Sequence, residues 1–201
     1  MRLIAILFAL NVCFVVPCLA VPTPADFVTV GTNNGAPDTS VDVPVYLRDT
    51  SGTPLGLDQP AGSKIQSYSI KVDYAPAADV QSVTFTRAGI TTSLTPAFES
   101  SPASPGSISL IDTFSESTNP IPFTLNAALP GNQIGVLHFT LAAGATPGDT
   151  ITLTLDPALT QLDNDTGTTH ESTTSANLSL VNGSISVTPA TPVRMQSFEV
   201  R

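Results

Sequence analysis

Few side chains in this sequence combine the residue types and spacings that catalysis requires. The sequence has two histidines, His138 and His170. His138 alternates with apolar neighbours and is expected to face outward from a strand, whereas His170 lies in a polar loop. Neither has the His-Glu-x-x-His spacing of a zinc site. The many serines have no adjacent base, and the sequence contains no Gly-x-Ser-x-Gly elbow or phosphate-binding loop. We therefore expect a protein that is not an enzyme.

One acidic stretch, LDNDTGTTHE at residues 162–171, resembles the start of a calcium loop. Asp163 and Asp165 are two residues apart, and Gly167 allows the sharp turn that such a loop needs. Glu171 comes three residues too early to be the closing ligand of a loop that begins at Asp163. We therefore expect a polar turn and no cofactor; if calcium binds, Asp163 and Asp165 are the candidate ligands.

The charge of the chain restricts its partners. Lys and Arg total 7 and Asp and Glu total 16, which gives a net charge of −9. The basic residues are scattered, so neither nucleic acid nor an anionic membrane is an expected partner. Charged residues make up only 11% of the sequence. Ser, Thr, Pro, Gly and Ala take their place, and this composition favours strands over helices.

The first twenty residues have the features of a secretory signal peptide. One basic residue precedes an apolar run over residues 3–16, and the small residues Cys18 and Ala20 fit the cleavage rule. The apolar run is short for a bilayer span. We expect residues 1–20 to be removed and the mature protein to be secreted, without membrane insertion. Cys13 and Cys18 are the only cysteines, so we expect no disulfide in the mature chain.

Alternating apolar and polar residues recur along the rest of the chain. Runs such as SVDVPVYL, YSIKVDY, GVLHFTL and ITLTLD place apolar residues on one face and polar residues on the other, which is typical of half-buried antiparallel strands. Turns rich in Gly, Pro, Asn and Asp separate these runs. We count about nine strands and no sustained helical period. The sequence predicts an all-β sandwich over residues 25–188 and a Pro/Thr linker and tail over residues 189–201.

Two prolines mark departures from regular strands. Pro44 lies in the middle of a predicted strand and indicates an edge strand or a bulge, because proline cannot donate a ladder hydrogen bond. Pro76 ends the strand that contains Tyr74, because its ring fixes φ and removes the N–H. We expect Tyr68 and Tyr74 to face the core, and the Tyr74 ring to pack over the end of the sandwich.

The order and spacing of these segments resemble those of a cohesin module. SVDVPVYL is similar to the second strand of that family. IQSYSIKVDYAPAADVQSVTF is similar to the segment in which a strand ends at Tyr-Asp-Pro, with Ala75 in place of the aspartate. GVLHFTL resembles a later Gly-x-Leu-x-Phe strand, and LVNGSISV resembles the closing strand. The resemblance extends from Asp26 to Val187 and implies a nine-stranded jelly-roll β-sandwich.

The resemblance also implies a function. Cohesins bind dockerin modules in polysaccharide-degrading assemblies, and their superfamily includes carbohydrate-binding modules. We therefore expect an extracellular binding module whose partner is a protein of the dockerin type, and as an alternative a module that binds polysaccharide directly. Tyr46 is the only tyrosine with an outward register and is the candidate sugar contact.

In cohesins, one flat sheet face binds the partner. The strands that resemble this face span residues 65–74, 80–87, 107–114 and 134–141. Ile111 lies in a segment that is apolar in both registers, so it is either an exposed anchor or a residue that a loop covers. The expected partner-binding residues on these strands are Ser69, Lys71, Asp73, Ser82, Thr84, Ile111, Val136 and His138.

Overall fold

The structure, a computed structural model, describes residues 23–190. These residues form fourteen β-strands, numbered here along the chain, and three single turns of 3-10 helix. The turns lie at Ala77–Asp79, Gly89–Thr91 and Thr173–Ser175. The strands build two sheets that pack face to face around one core. The predicted all-β jelly-roll sandwich is thus confirmed.

The two ends of the chain lie outside the described residues. The predicted signal peptide at residues 1–20, with both cysteines, belongs there, as does the tail beyond residue 190. Within the described part of the chain, no helix has the length and apolar character needed to cross a membrane.

Five strands form the first sheet, called sheet A. They are β1 (Asp26–Val30), β3 (Ser40–Arg48), β5 (Val80–Arg87), β9 (Asn132–Leu141) and β13 (Leu178–Val181). β3 and β9 lie near the centre, β5 forms one edge, and β13 forms the other by pairing in parallel with β1. Buried and outward residues alternate along β3 and most of β9, which is why the alternation in the sequence locates these strands.

Nine strands form the second sheet, called sheet B. They are β2 (Thr32–Gly35), β4 (Ser67–Ala75), β6 (Phe98–Ser100), β7 (Ala103–Ser104), β8 (Ser107–Thr113), β10 (Thr150–Leu155), β11 (Gln161–Asp163), β12 (His170–Ser172) and β14 (Gly183–Val187). β8 pairs along one side of β4, while β10 and β11 pair with successive parts of its other side. β14 and β2 extend the sheet beyond β10, β12 extends it beyond β11, and β6 and β7 cover the outer edge of β8. The described residues form more strands than the nine predicted because several short strands, such as β2, β7 and β12, lie in segments rich in turn residues.

Both terminal strands pass from one sheet to the other. β1 in sheet A continues as β2 in sheet B after Gly31, and β13 in sheet A continues as β14 in sheet B after Asn182. The two crossings touch, since a Cβ atom at Gly183 would lie 2.0 Å from the carbonyl oxygen of Gly31; only glycine fits there. β2 is not predicted, because its residues, TNNG, show no alternation of apolar and polar side chains and are typical of a turn.

The space between the sheets is filled mainly by Val, Leu and Ile side chains. The removal of this apolar surface from water is the main driving force for folding. Tyr68, Phe114 and Phe139 are among the largest fully buried side chains. Tyr68 therefore faces the core, as predicted.

Pro44 lies in the interior of sheet A and not at an edge. The predicted edge position is wrong, and Pro44 itself pairs regularly with Val136. The pairing of β3 with β9 shifts only between Val45 and Tyr46, where β9 has an extra residue, Ile134. On the other side of β3, β1 ends at Val30, and Gly31 then donates its N–H to Pro44 O at 2.8 Å. Pro44 has no N–H to donate toward β1, and this position of β3 lies where β1 leaves the sheet.

The Tyr74-x-Pro76 corner closes one end of the sandwich. The Tyr74 ring meets Phe139 edge-on, with ring centroids 5.6 Å apart and planes at 89°, an arrangement that aromatic pairs favour. The Tyr74 hydroxyl donates to Ser104 O at 3.1 Å. The predicted packing of Tyr74 is confirmed, and this side chain stabilises the corner where β4 ends.

Candidate partner-binding face

The residues predicted to bind a partner lie on two opposite faces. β4 and β8 belong to sheet B, whereas β5 and β9 belong to sheet A, so the prediction of one face from all four strands is wrong. Alternation sets which side of a strand faces outward, but it does not show which sheet the strand joins. The outer face of sheet B carries Ser69, Lys71, Asp73 and Ile111, and the outer face of sheet A carries Ser82, Thr84, Val136 and His138.

On sheet B, Lys71 lies between two carboxylates. Its Nζ atom is 3.3 Å from Asp73 Oδ1 and 3.1 Å from Asp156 Oδ2. The hydrogen bond with Asp156, followed by that with Asp73, raises the pKa of Lys71. The N–H of Ala158 and then Lys71 lower the pKa of Asp156. Two negative charges thus surround one positive charge, and the centre of this face is mildly acidic.

Apolar side chains also lie on this face and at its border. Ile111 is half-buried between Ser69 of β4 and the short strand β6, so it is partly exposed. Phe98 is the neighbour of Thr113 across the strands and is 55% exposed. Leu159, in the turn after β10, is 53% exposed, and its carbonyl oxygen accepts a hydrogen bond from Ser69 Oγ at 3.3 Å. Exposed apolar residues on an otherwise polar surface are typical of interaction sites.

Phe98 and Leu159 are not evident as surface residues from the sequence. Phe98 lies in a three-residue strand between turns that contain proline, and Leu159 lies in a turn. Neither belongs to an alternating run, so neither has a register that predicts its direction. The feature of the sequence that could have identified both residues is a single large apolar side chain in a segment otherwise rich in turn-forming residues.

Short hydroxyl side chains form much of the rest of this face. Ser67 Oγ and Thr113 Oγ1, for example, lie 2.9 Å apart on adjacent strands. Such side chains keep the surface flat and lose little rotamer entropy when a partner covers them. Further members of this set are Ser107, Ser109, Thr152 and Thr154.

The opposite face, on sheet A, has a polar centre. His138 faces outward, as predicted, and its Nδ1 lies 2.7 Å from Asp42 Oδ1 on the adjacent strand. Thr84 is the neighbour of His138 on the other side. Val136 is half-buried beside Pro44. Polar side chains thus form the centre of this face, with Val136 and Pro44 beside them.

Tyr46 also lies on the outer face of sheet A. It is half-buried, so only part of its ring is available for stacking on a sugar. Phe27, which the sequence analysis does not single out, is nearby on the same face, with Arg48 Cζ 5.5 Å from its ring centroid. Arg48 therefore covers an aromatic surface that a sugar ring would need.

The candidate calcium residues have different neighbours. Asp163 Oδ2 accepts a hydrogen bond from Gln161 Nε2 at 3.1 Å, and Asp165 Oδ2 accepts one from the N–H of Glu116 at 3.3 Å. Asn164 lies between them and organises a polar turn through its own side chain. Among the described residues, no group of three or more His, Cys, Asp or Glu side chains is arranged to hold a metal ion. The expected absence of a cofactor stays a prediction, and Asp163 and Asp165 stay the candidate ligands if calcium binds.

Beneath the face of sheet B, Tyr68 and Asp112 form a buried hydrogen bond. The Tyr68 hydroxyl donates to Asp112 Oδ2, and both side chains are almost completely buried. Burial raises the pKa of Asp112 to about 6, and the hydrogen bond from Tyr68 opposes this shift. Burial, together with the Asp112 charge, raises the pKa of Tyr68, so its hydroxyl stays a donor. The pair connects β4 to β8, which carry the centre of the face.

Solved structures of similar shape include several cohesins. One is the sixth cohesin from Acetivibrio cellulolyticus scaffoldin B, solved in complex with the Cel5 dockerin. It is 15% identical to this chain with a TM-score of 0.56, and the match covers 81% of this chain and 99% of that cohesin. CaCohA2 from Clostridium acetobutylicum is 22% identical with a TM-score of 0.55, covering 83% and 92% of the two chains. A non-cellulosomal cohesin from the archaeon Archaeoglobus fulgidus is 12% identical with a TM-score of 0.52, covering 81% and 91%. No family model and no curated protein matches the sequence. The chain therefore has the cohesin fold.

Proposed function

We propose that this protein is a non-catalytic binding module and that the outer face of sheet B docks a protein partner of the dockerin type. The observation that carries the proposal is the presence of Phe98, Ile111 and Leu159 on or beside a flat face of hydroxyl side chains. The fold supports it, since proteins of this fold are solved in complex with dockerins.

The chemistry of the face indicates what the partner offers. Phe98 and Ile111 give apolar surface whose burial favours association. Lys71 is already neutralised by Asp73 and Asp156, so the face presents a surplus of negative charge. The partner surface that fits therefore offers apolar groups opposite Phe98 and Ile111, and basic or hydroxyl groups opposite the acidic centre of the face.

The setting of this module is also part of the proposal. The predicted signal peptide favours secretion, and the resemblance to cohesins favours an extracellular, polysaccharide-degrading assembly. In this setting the chain supplies recognition and a partner supplies the catalysis.

An affinity capture from the native secretome tests the proposal, with residues 21–201 as bait. Two matched variants are compared with the wild type: Ile111→Asp on sheet B and Val136→Asp on sheet A, both half-buried outward residues near the middle of a strand. We expect Ile111→Asp to lose the captured protein and Val136→Asp to retain it. Loss of the captured protein in EDTA identifies the dockerin type, because calcium holds such a partner folded. Equal retention by both variants contradicts the assignment of the face.

The alternative function is direct polysaccharide binding, and the same protein is used to test it. If the wild type captures no protein but is retained on insoluble cellulose or chitin, and Tyr46→Ala abolishes this retention, the binding site is on sheet A. The half-buried Tyr46 and the covered Phe27 favour the protein-binding function.

A further inference from the structure

Three acidic side chains are buried at one end of the sandwich. Asp26, Asp49 and Glu171 are each 0% exposed. Asp49 begins the loop of residues 49–66, which joins β3 to β4, and Asp26 and Glu171 lie against this loop. Each of the three carboxyl groups accepts a hydrogen bond from a backbone N–H of the loop. The bonds are Thr50 N to Asp26 Oδ1 at 2.6 Å, Leu55 N to Glu171 Oε1 at 2.7 Å, and Leu57 N to Asp49 Oδ2 at 2.8 Å.

Gly56 lets the loop fold over these carboxyl groups. Its φ is +145°, and a Cβ atom at this position would lie 2.5 Å from Asp49 Oδ1. Only glycine combines this backbone conformation with so close an approach. The loop and the acidic side chains are therefore fitted to each other.

The second oxygen of each carboxyl group meets no N–H or O–H of another residue. The carboxyl groups of Asp26 and Glu171 are neighbours in this cluster, and their contact raises the pKa of Asp26 and opposes the rise in the pKa of Glu171. Ionised carboxylates are acceptors only, so two carboxyl groups share a hydrogen bond only when one of them keeps its proton. That proton supplies the donor that the pair otherwise lacks.

The charged groups around Asp26 and Glu171 do not take over the role of the shared proton. Asp49 faces both Asp26 and Glu171 and adds negative charge, and Asp58 lies beyond it in the same loop. The charge of Lys64 lowers the pKa of Asp49, and the Lys64 Nζ donates to the carbonyl oxygens of Leu57 and Gln59. On β12, His170 is exposed and faces away, beside Asp163.

We propose that Asp26 and Glu171 form a latch that shares one proton, holds the loop of residues 49–66 on the end of the sandwich, and weakens when that proton is lost. The latch is independent of the proposed docking function. Burial, first of all, raises the pKa of both groups. The unfolded chain releases these protons near pH 4 while the folded chain keeps the shared one, so folding takes up a proton. Stability therefore falls as the pH rises from about 5 to about 9.

The variant Asp26→Asn tests the latch, because an amide N–H donates where the proton did and does not ionise. We expect its Tm at pH 8 to exceed that of the wild type by roughly 3 to 6 °C, and its Tm to vary less with pH. Protection factors of the Thr50 and Leu55 amides, corrected for intrinsic exchange, should fall with pH in the wild type and stay level in the variant. Asp149→Asn, an exposed acid away from the loop, is the control for net charge and should behave as the wild type.

Three results overturn the latch. One is a wild-type Tm that rises between about pH 5 and about pH 9, which is measured without any variant. Another is a lower Tm of both Asp26→Asn and Glu171→Gln at every pH. The last is a saturable rise of the wild-type Tm with CaCl2 that Asp26→Asn abolishes, because the two carboxyl groups would then share a metal ion and not a proton.

Discussion

Gly183 and Gly31 are in contact at the point where the first and last strands of the sandwich change sheets. A Cβ atom at Gly183 would lie 2.0 Å from Gly31 O and 2.7 Å from Val30 O. Both neighbours are backbone atoms, so the contact cannot be relieved by rotating a side chain. The two crossings therefore hold each other in place.

Replacing Gly183 by Ala should destabilise the fold. The added methyl group forces the crossings apart, and such overpacking costs about 1–3 kcal/mol of unfolding free energy. Urea unfolding followed by circular dichroism measures it. Gly144→Ala is the matched control, since nothing lies within 4 Å of its Cβ position. If both variants have the wild-type midpoint of urea unfolding, this result contradicts the close approach of the two crossings.

Removing the hydroxyl of Tyr68 should cost stability without changing the fold. Tyr68→Phe leaves the buried Asp112 carboxyl without its donor, at a cost of about 1–3 kcal/mol of unfolding free energy. Chemical unfolding at pH 7 gives the value. In Tyr68→Phe/Asp112→Ala, where the acceptor is absent too, the same Phe substitution should have a smaller effect. A Tyr68→Phe effect that is the same in both backgrounds would show that the two side chains are not coupled.

Asp112 should also give the stability a pH dependence. Burial raises its folded-state pKa to about 6, whereas the unfolded chain releases the proton near pH 4. Folding thus takes up a proton between these values, and the stability from this group is lost as the pH rises through that window. Asp112→Asn should reduce the fall in unfolding free energy between about pH 4 and about pH 6. An unchanged slope in this variant argues against a buried Asp112.

The corner at Tyr74 should depend on the ring more than on its hydroxyl. Tyr74→Phe loses one hydrogen bond, to Ser104 O, and should cost about 0.5–1.5 kcal/mol. Tyr74→Ala also removes the ring that packs on Phe139 and should cost about 3–5 kcal/mol. Thermal unfolding of the two variants separates the contributions. Similar costs for both would contradict the edge-on ring contact.

Phe98→Ser should weaken binding of the partner and leave the stability of the fold almost unchanged. The side chain is 55% exposed, so its removal should change the unfolding free energy by less than about 0.5 kcal/mol. If sheet B is the docking face, the affinity for the captured partner should fall at least fivefold, which is about 1 kcal/mol. Titration calorimetry with that partner measures the affinity. Leu129→Ser serves as control, because Leu129 is 66% exposed and lies outside the strands of sheet B.

The sequence predicts the sandwich because its strands bury alternate residues. The outward positions of Lys71 and His138 follow from that alternation and are confirmed. Their placement on one face is wrong, because the pairing of strands far apart in sequence depends on contacts that a period of two does not encode. The exposure of Phe98 is not predicted, because a strand of three residues is too short to show an alternating pattern. The buried Asp26 and Glu171 are also missed, because acidic side chains are normally exposed and nothing in the sequence marks these two as exceptions.

The parallel pairing of the terminal strands determines how the domain resists tension. β1 pairs in parallel with β13, and β2 pairs in parallel with β14, so the chain enters at one end of these ladders and leaves at the other. A load applied to the two ends of the domain therefore acts along the strands and strains many hydrogen bonds together, rather than one after another. The hydrogen bonds between these strands are therefore loaded in shear, and single-molecule pulling from residues 23 and 190 should find a higher unfolding force than pulling from Ser67 and Thr113, which face each other at one end of the antiparallel β4–β8 pair.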